Sequence, residues 1–254
     1  KTVANSDAIK VYGRGEMHIS VLIEDMRREG FELQISRPKV LMQEVDGVKQ
    51  EPMEFAVVNV PDDIAGKVIE QLSSRHGQME SMKSENGNTA MEFLVPTRGL
   101  LGFRSFFLTL TRGQGTLYHS FDHFAPHTGP LSKRTVGSLI SGETGTAMAY
   151  SLWKLQERGP LFIKPATEIY EGMIIGEHSH ARDLTVNATK NKNLTNVRAS
   201  GTDEAIMLTT PIDMNLERAI EYIKDDEYVE ITPKSIRLRK KLLTENDRKR
   251  ERRV

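Results

Sequence analysis

Between Glu177 and Ser200 the chain reads EHSHARDLTVNATKNKNLTNVRAS, a stretch with no continuous face for a helix or strand to bury. Its apolar residues Leu184, Val186, Leu194 and Val197 are too sparse to build one. Asn187, Asn191, Asn193 and Asn196 are turn formers, and their amides both donate and accept hydrogen bonds. Arg182, Lys190, Lys192 and Arg198 are cationic, His178 and His180 add titratable rings, and Glu177 and Asp183 are the only acids. Loops this long are uncommon in compact domains and are either functional or unstructured. The rest of the chain must therefore supply a scaffold of short elements around it. Cations suit phosphates, and amides suit base edges and 2′-hydroxyls. The competing reading is a solvated surface loop.

The flanking sequence predicts an α+β chain in three parts. In residues 1–40, Ala8 to Tyr12 is a short strand broken by Gly13-Arg14-Gly15. A helix follows from about Glu16 to Glu29, with Ile19, Leu22, Ile23 and Met26 on one face, and Gly30 stops it. Phe31, Leu33 and Ile35 then alternate along a strand, giving a β-α-β half-domain that cannot cover its own apolar face. In residues 41–125, Glu54 to Val60 is a strand. Pro61-Asp62-Asp63 opens a helix with Ile64, Ala65, Val68, Ile69 and Leu72 inward. A polar loop through Asn86-Gly87 leads to a strand from Thr89 to Val95, Arg104 to Leu110 is a strand or short helix, and Thr116 to Phe124 returns as a strand. This pattern predicts a ferredoxin-like split β-α-β domain.

Residues 126–254 predict a β-rich, barrel-like domain with one helix and the long basic loop at about 177–200. Its strands are Gly137 to Ser141, Thr146 to Trp153, Leu161 to Ile163 and Met173 to His178. The helix is Asn215 to Lys224, with Leu216, Ala219, Ile220 and Ile223 inward. Tyr228 to Thr232 and Ser235 to Arg239 form a strand pair turned by Pro233-Lys234. The basic tail is a short helix or disordered.

Lysine plus arginine is 35 and aspartate plus glutamate is 35, so net charge selects no partner. Its distribution is more informative. Residues 201–230 hold nine acids and two bases, and residues 234–254 hold ten bases and three acids. Separated blocks allow one face to bind a polyanion. The absence of cysteine excludes thiolate chemistry and is compatible with a reducing cytoplasm. No apolar run is long enough to span a bilayer, and the start is no signal peptide. The expectation is a cytoplasmic chain that begins mid-domain and is monomeric in isolation.

A phosphate-binding loop needs G-x-x-x-x-G-K-[ST], and none is present. Asn191-Lys192-Asn193 starts like a guanine-recognition motif but continues with Leu194 where a carboxylate is needed, so no nucleotide hydrolysis is predicted for this chain. His178 and His180, two apart on a strand, share a face as metal ligands can, but lack a third ligand; no metal site is assigned. Arg237, Arg239 and Lys241 make a cationic strand face opposite an apolar one broken by Lys240. Arg248, Lys249, Arg250, Arg252 and Arg253 add a cluster, for which plain solvation is the alternative. Arg98, Arg104 and Arg112 sit beside glycine turns, where backbone can approach phosphate.

Three segments carry a family resemblance. GRGEMHISVLIEDMRREGFELQISRPKV, RDLTVNATKNKNLTNVRASGTDEA and DDEYVEITPKSIRLRKKLLTENDRKR resemble, in order, the C-terminal half of the BipA (TypA) group of bacterial translational GTPases. The resemblance implies that residues 1–40 are the second half of a domain III-like unit. It makes residues 41–125 a domain like domain V of elongation factor G, and residues 126–254 a BipA-type C-terminal domain. GTP and magnesium would belong to an absent N-terminal domain, so no cofactor is expected here. The implied role is ribosome binding linked to large-subunit assembly and stress adaptation. The implied partners are 23S rRNA, stalk-base proteins and the acceptor end of A-site tRNA. On this resemblance the RNA-binding role falls to His178, His180, Arg182, Lys190, Lys192, Asn193 and Arg198, with Arg237, Arg239, Lys241, Arg98 and Arg104 as further candidates. The alternatives are a protein-binding adaptor for stalk-base proteins without direct RNA contact, and a hydrolase, for which a metal at His178 and His180 would be the sign.

Overall fold

The computed structural model describes residues 8–131, 134, 136–191 and 207–251. The chain forms two compact units, one of residues 38–133 and one of residues 1–37 with 134–254.

The chain opens with α1 (Glu16–Arg28), which buries Ser20 and Ile23, and β1 (Leu33–Ser36). Ile19 packs on the same core as Ile23, while Leu22, expected on that face, stays exposed. Gly30 ends the helix with φ 94°, a value favourable for glycine and strained for other residues. Of Ala8 to Tyr12, only Ile9 has bridge geometry, so the expected first strand does not extend.

Residues 38–133 contain β2 (Gln43–Val45), β3 (Val48–Pro61), α2 (Asp62–Ser74), β4 (Gln78–Glu85), β5 (Asn88–Pro96), α3 (Thr97–Leu100), α4 (Phe103–Leu110) and β6 (Thr116–Pro126). The sheet runs β6-β3-β5-β4 with every neighbour antiparallel, and β2 pairs with the start of β3. With helices between β3 and β4 and between β5 and β6, this is the ferredoxin-like arrangement expected. Alternation directs Ala56, Val58 and Val60 of β3, and Met91, Phe93 and Val95 of β5, onto one face. Ala65, Val68 and Leu72 of α2 and Phe103 and Phe107 of α4 close the core. The Arg104 to Leu110 stretch is helical because Phe103 and Phe107, four residues apart, share this buried face.

The other unit continues with β7 (Gly137–Ser141), β8 (Gly145–Thr146), α5 (Ala149–Leu155), a 3₁₀ turn (Gln156–Arg158) and β9 (Glu168–Ile169). Then come β10 (Met173–His178), β11 (Leu184–Val186), α6 (Leu216–Tyr222), β12 (Glu227–Ile231), β13 (Ile236–Lys240) and α7 (Glu245–Glu251). Six strands lie in the order β1-β12-β13-β10-β7-β11, antiparallel except for the parallel pair β7-β11. Among the described residues this sheet is open, not a closed barrel, and within residues 134–254 α5 and α7 stand beside the one helix, α6, that periodicity predicted.

Both faces of the sheet are covered, which explains why all of β7 is buried. Ile140, Ile174, Val229 and Leu238 face a core shared with α1 and α6. Leu139, Met173 and Ile175 face the opposite core, with Leu152 of α5, Leu161 and Ala188. The predicted strand from Thr146 to Trp153 is instead the short β8 followed by α5. Leu161 to Ile163 contributes a bridge from Leu161 to Gly176 in place of a strand. No helix among the described residues is long and apolar enough to cross a membrane.

Candidate nucleic-acid interface

The polar stretch begins as a tight turn between β10 and β11. Gly137 donates its amide to the His180 carbonyl at 2.7 Å, and the Ser138 amide donates to Asp183 Oδ1 at 2.9 Å. A side chain at position 137 would place its Cβ 2.2 Å from the Arg182 carbonyl oxygen, so glycine is required by close approach. Opposite, Ser179 donates its amide to the Arg158 carbonyl at 2.8 Å.

These bonds fix two histidines differently. His178 is 7% exposed, and its Nδ1 donates to the Arg182 carbonyl at 2.6 Å, so it braces the turn from inside. His180 is exposed and packs edge-on against the His178 ring, centroids 5.1 Å apart. Arg182 is also exposed. Among the described residues, no group of three or more His, Asp and Glu side chains is placed to hold a metal ion.

Leu184 and Val186, expected to be too isolated to bury, form β11 beside β7 and pack on the α5-side core. Beyond β11 the chain crosses α5. Met148 donates its amide to the Ala188 carbonyl, and Ser151 Oγ donates to the Lys190 carbonyl. On the returning side, Gln156 Nε2 donates to the Met207 carbonyl at 3.0 Å, and its Oε1 accepts from the Thr209 amide at 3.0 Å. Both ends of the basic stretch are thus tied to one short helical segment. The Lys190 side chain is exposed there. Lys192, Asn193 and Arg198 lie outside the described residues, as do Arg252 and Arg253.

Beneath the turn lies a knot of buried charge. Lys240, 1% exposed, places Nζ 2.7 Å from Asp183, 2.8 Å from Asp226 and 2.9 Å from Glu227. Burial alone would lower the Lys240 pKa, but Glu227, Asp183 and Asp226 outweigh it and raise it. Burial would raise Asp183, and the bond from Lys240 instead holds it below the usual carboxylate range. Glu227 also accepts from Ser138 Oγ at 2.9 Å and lies 3.4 Å from Arg134, whose guanidinium stacks 3.7 Å over Tyr222. The lysine that interrupted the apolar face of β13 is therefore the clamp between the loop's base and the C-terminal hairpin.

Arg237 and Arg239 are half-buried, not openly cationic, while Lys241 is exposed. Arg239 and Lys241 lie 5.9 and 5.2 Å from the centroid of Tyr228. In the tail, Arg248 is buried: it donates to the Leu242 and Leu243 carbonyls and to Thr185 Oγ1 of β11. Lys249 pairs with Glu245 at 2.8 Å within α7.

In the ferredoxin-like unit, Arg98 is committed internally. Its guanidinium forks onto Glu51, which is 1% exposed and also accepts from the Thr128 amide at 2.9 Å. Burial would raise the Glu51 pKa; Arg98 and Thr128 overcome that and bring it down to about 2. Arg104, by contrast, is exposed on α4. The structure thus brings His180 and Arg182 onto one turn and ties Lys190 to α5.

Sequence reading passed over α5. Tyr150, Trp153 and Lys154 stand at i, i+3 and i+4, a helical spacing hidden by the strand assignment. The Tyr150 and Trp153 rings lie 6.2 Å apart, and Lys154 Nζ lies 4.6 Å from the Tyr150 centroid.

Two family models divide this architecture. Residues 48–135 match the elongation factor G C-terminus, and residues 136–245 match the TypA/BipA C-terminal domain. The chain is therefore of the class in which a ferredoxin-like elongation factor G C-terminal domain precedes a TypA/BipA C-terminal domain. Relatives described as "Large ribosomal subunit assembly factor BipA" are 54% identical over 252 residues in Haemophilus influenzae, 52% over 248 in Salmonella typhimurium and 47% over 247 in Bacillus subtilis. These alignments cover 98%, 97% and 96% of this chain, and 41%, 41% and 40% of the relatives. The chain belongs to the BipA family and spans about two-fifths of the length of these relatives.

Proposed function

We propose that this chain is the ribosome-binding C-terminal region of a BipA-type translational GTPase acting in large-subunit assembly and stress adaptation in the cytoplasm. Its own part is recognition, and GTP chemistry belongs elsewhere in such a protein. The observation that carries the reading is the basic stretch on the α5 side of the C-terminal unit. It is anchored at both ends to α5 and the following turn, and His180, Arg182 and Lys190 are left exposed above a charge knot that has already consumed its own cations. The sequence continues it with Lys192, Asn193 and Arg198. Such a surface suits rRNA phosphates and unpaired nucleotides, the acceptor end of A-site tRNA among them.

A ribosome-pelleting titration across salt tests this. Each phosphate neutralised on single-stranded RNA contributes roughly −0.7 to the slope of log affinity against log salt. Lys190→Ala combined with Lys192→Ala should weaken pelleting and flatten the slope by about one to one and a half. Unchanged affinity and slope would remove the stretch from the interface.

A second reading has its own support. In the ferredoxin-like unit every residue of β4, an edge strand of the sheet, is exposed, Met79 and Met82 among them. That surface suits a protein such as one of the stalk base. Binding to RNA-free stalk-base proteins, indifferent to the lysine variants, would favour the adaptor role.

A further inference from the structure

We infer that the outer face of α5 is a stacking platform for an unpaired base of single-stranded RNA, a subsite that rests on the ribosome-binding reading above. Leu152 and Leu155 turn inward from this helix and pack on the core. Tyr150 and Trp153 share the outer side and are partly open to solvent. Their planes are inclined by only 30°. Two aromatic rings so close together on one side of a helix offer π faces on which a base of any identity can stack.

The surroundings favour a polyanion. Lys154 is exposed with its ammonium over one face of the Tyr150 ring, Arg158 is exposed at the end of the following turn, and Lys190 is exposed on the segment whose carbonyl Ser151 holds. Ser151 lies between Tyr150 and Trp153 in sequence, so the aromatic face and the backbone of Lys190 are joined by one hydrogen bond. From residue 149 to 158 the single acid is Glu157. A planar aromatic face with cations around it fits a base with its flanking phosphates better than an apolar protein side chain, which would gain nothing from three positive charges.

The test uses the whole chain and a single-stranded oligoadenylate of about ten nucleotides, within the usual site size for such surfaces. Trp153 is the only tryptophan, so its quenching reports occupancy directly, and anisotropy of a labelled oligonucleotide gives affinity for variants that lack it. Tyr150→Leu and Trp153→Leu should each lower affinity about five- to a hundred-fold, the range for losing one base stack. The salt slope should stay unchanged, because no cation has been removed. Trp153→Phe should retain most of the affinity, and circular dichroism should match wild type in all three. If Lys190→Ala weakens and flattens binding while both leucine variants bind like wild type, the platform is overturned and the RNA reading stands. If wild type ignores the oligonucleotide yet Trp153→Leu impairs ribosome pelleting, the platform is overturned in favour of a protein anchor. If neither the oligonucleotide nor the ribosome binds, both readings fall.

Discussion

Lys240→Met removes a buried ammonium while leaving a side chain of similar volume. It leaves three carboxylates behind. Glu227 and Asp183 have side chains 0% and 11% exposed, so neither regains full hydration, whereas Asp226, at 51%, does. Removing one partner of a buried ion pair costs about 3–5 kcal/mol. Here Glu227 keeps Arg134 and Ser138, and Asp183 keeps the Ser138 amide, which places the expected loss near 3 kcal/mol. Domains have about 5–15 kcal/mol of stability in total, so this is a large fraction. With a urea slope of about 2 kcal/mol per molar, the midpoint should fall by about 1.5 M at pH 7. Trp153 fluorescence is the right probe, because it belongs to the unit that holds Lys240 and the other unit has no tryptophan. The pH dependence supplies a second check. In wild type the folded Asp183 pKa is depressed, so its contribution is present above the ordinary aspartate range and is lost as pH falls through the folded value. In the variant Asp183 is buried without the cation that lowers its pKa, which leaves burial to raise it and makes its ionisation unfavourable. The destabilisation should therefore be greatest at pH 7 and shrink toward about pH 5 as Asp183 protonates. A midpoint loss below about 0.5 M, or an equal loss at both pH values, would refute the argument that Lys240 is the clamp.

Two further predictions concern other parts of the fold. The Glu51 pKa of about 2, against an ordinary 4.5, corresponds to about 3 kcal/mol that is fully present above pH 4.5 and lost as pH falls toward 2. Hydrogen exchange of β3 and β5 amides should show that acid loss in wild type. Glu51→Gln should protect these amides less at neutral pH but lose little more on acidification, and parallel acid limbs would contradict the ion pair's role. Gly137→Ala forces a Cβ against the Arg182 carbonyl, and neither side of that contact is a flexible side chain. A loss of about 1–3 kcal/mol in the Trp153-monitored midpoint is expected, and an unchanged midpoint would mean the turn adapts freely.

Local pattern carried much of the fold into the sequence. Helix α2, strand β5, α6 and the β12-β13 hairpin were all legible, because each has a periodic apolar face bounded by a capping or turn residue, whereas β4, exposed along its whole length, reads as a polar loop. Three further parts were not. Leu184, Val186 and Ala188 alternate with period two, but their partner β7 lies some forty residues upstream, so isolated apolar residues looked like loop. In α5, the residues from Thr146 onward alternate enough to resemble a strand, and the inward pair Leu152 and Leu155 is short for a helical signal. Arg98 stood beside a glycine turn and read as a phosphate contact, yet Glu51, 47 residues earlier, claims it through the sheet. Pairing between charges distant in sequence leaves no local trace, and for that reason the basic candidates were harder to sort than the apolar core.

That sorting follows from dielectric surroundings. Lys240, Arg134 and Arg248 lie where water is scarce, and each is matched by carboxylates or carbonyls, since an unmatched buried charge costs several kcal/mol. His180, Arg182 and Lys190 lie in solvent, where an added ion pair would contribute at most about 1 kcal/mol. Folding therefore has little use for their charge. The bonds that hold the stretch are indifferent to it as well: Ser151 grips the Lys190 carbonyl and Gln156 the Met207 carbonyl, both backbone atoms. Anchoring and charge are thus separate properties of the same residues. Neutralising Lys190 changes what the stretch attracts without loosening how it is held, so any loss of binding in that variant belongs to recognition and not to misfolding.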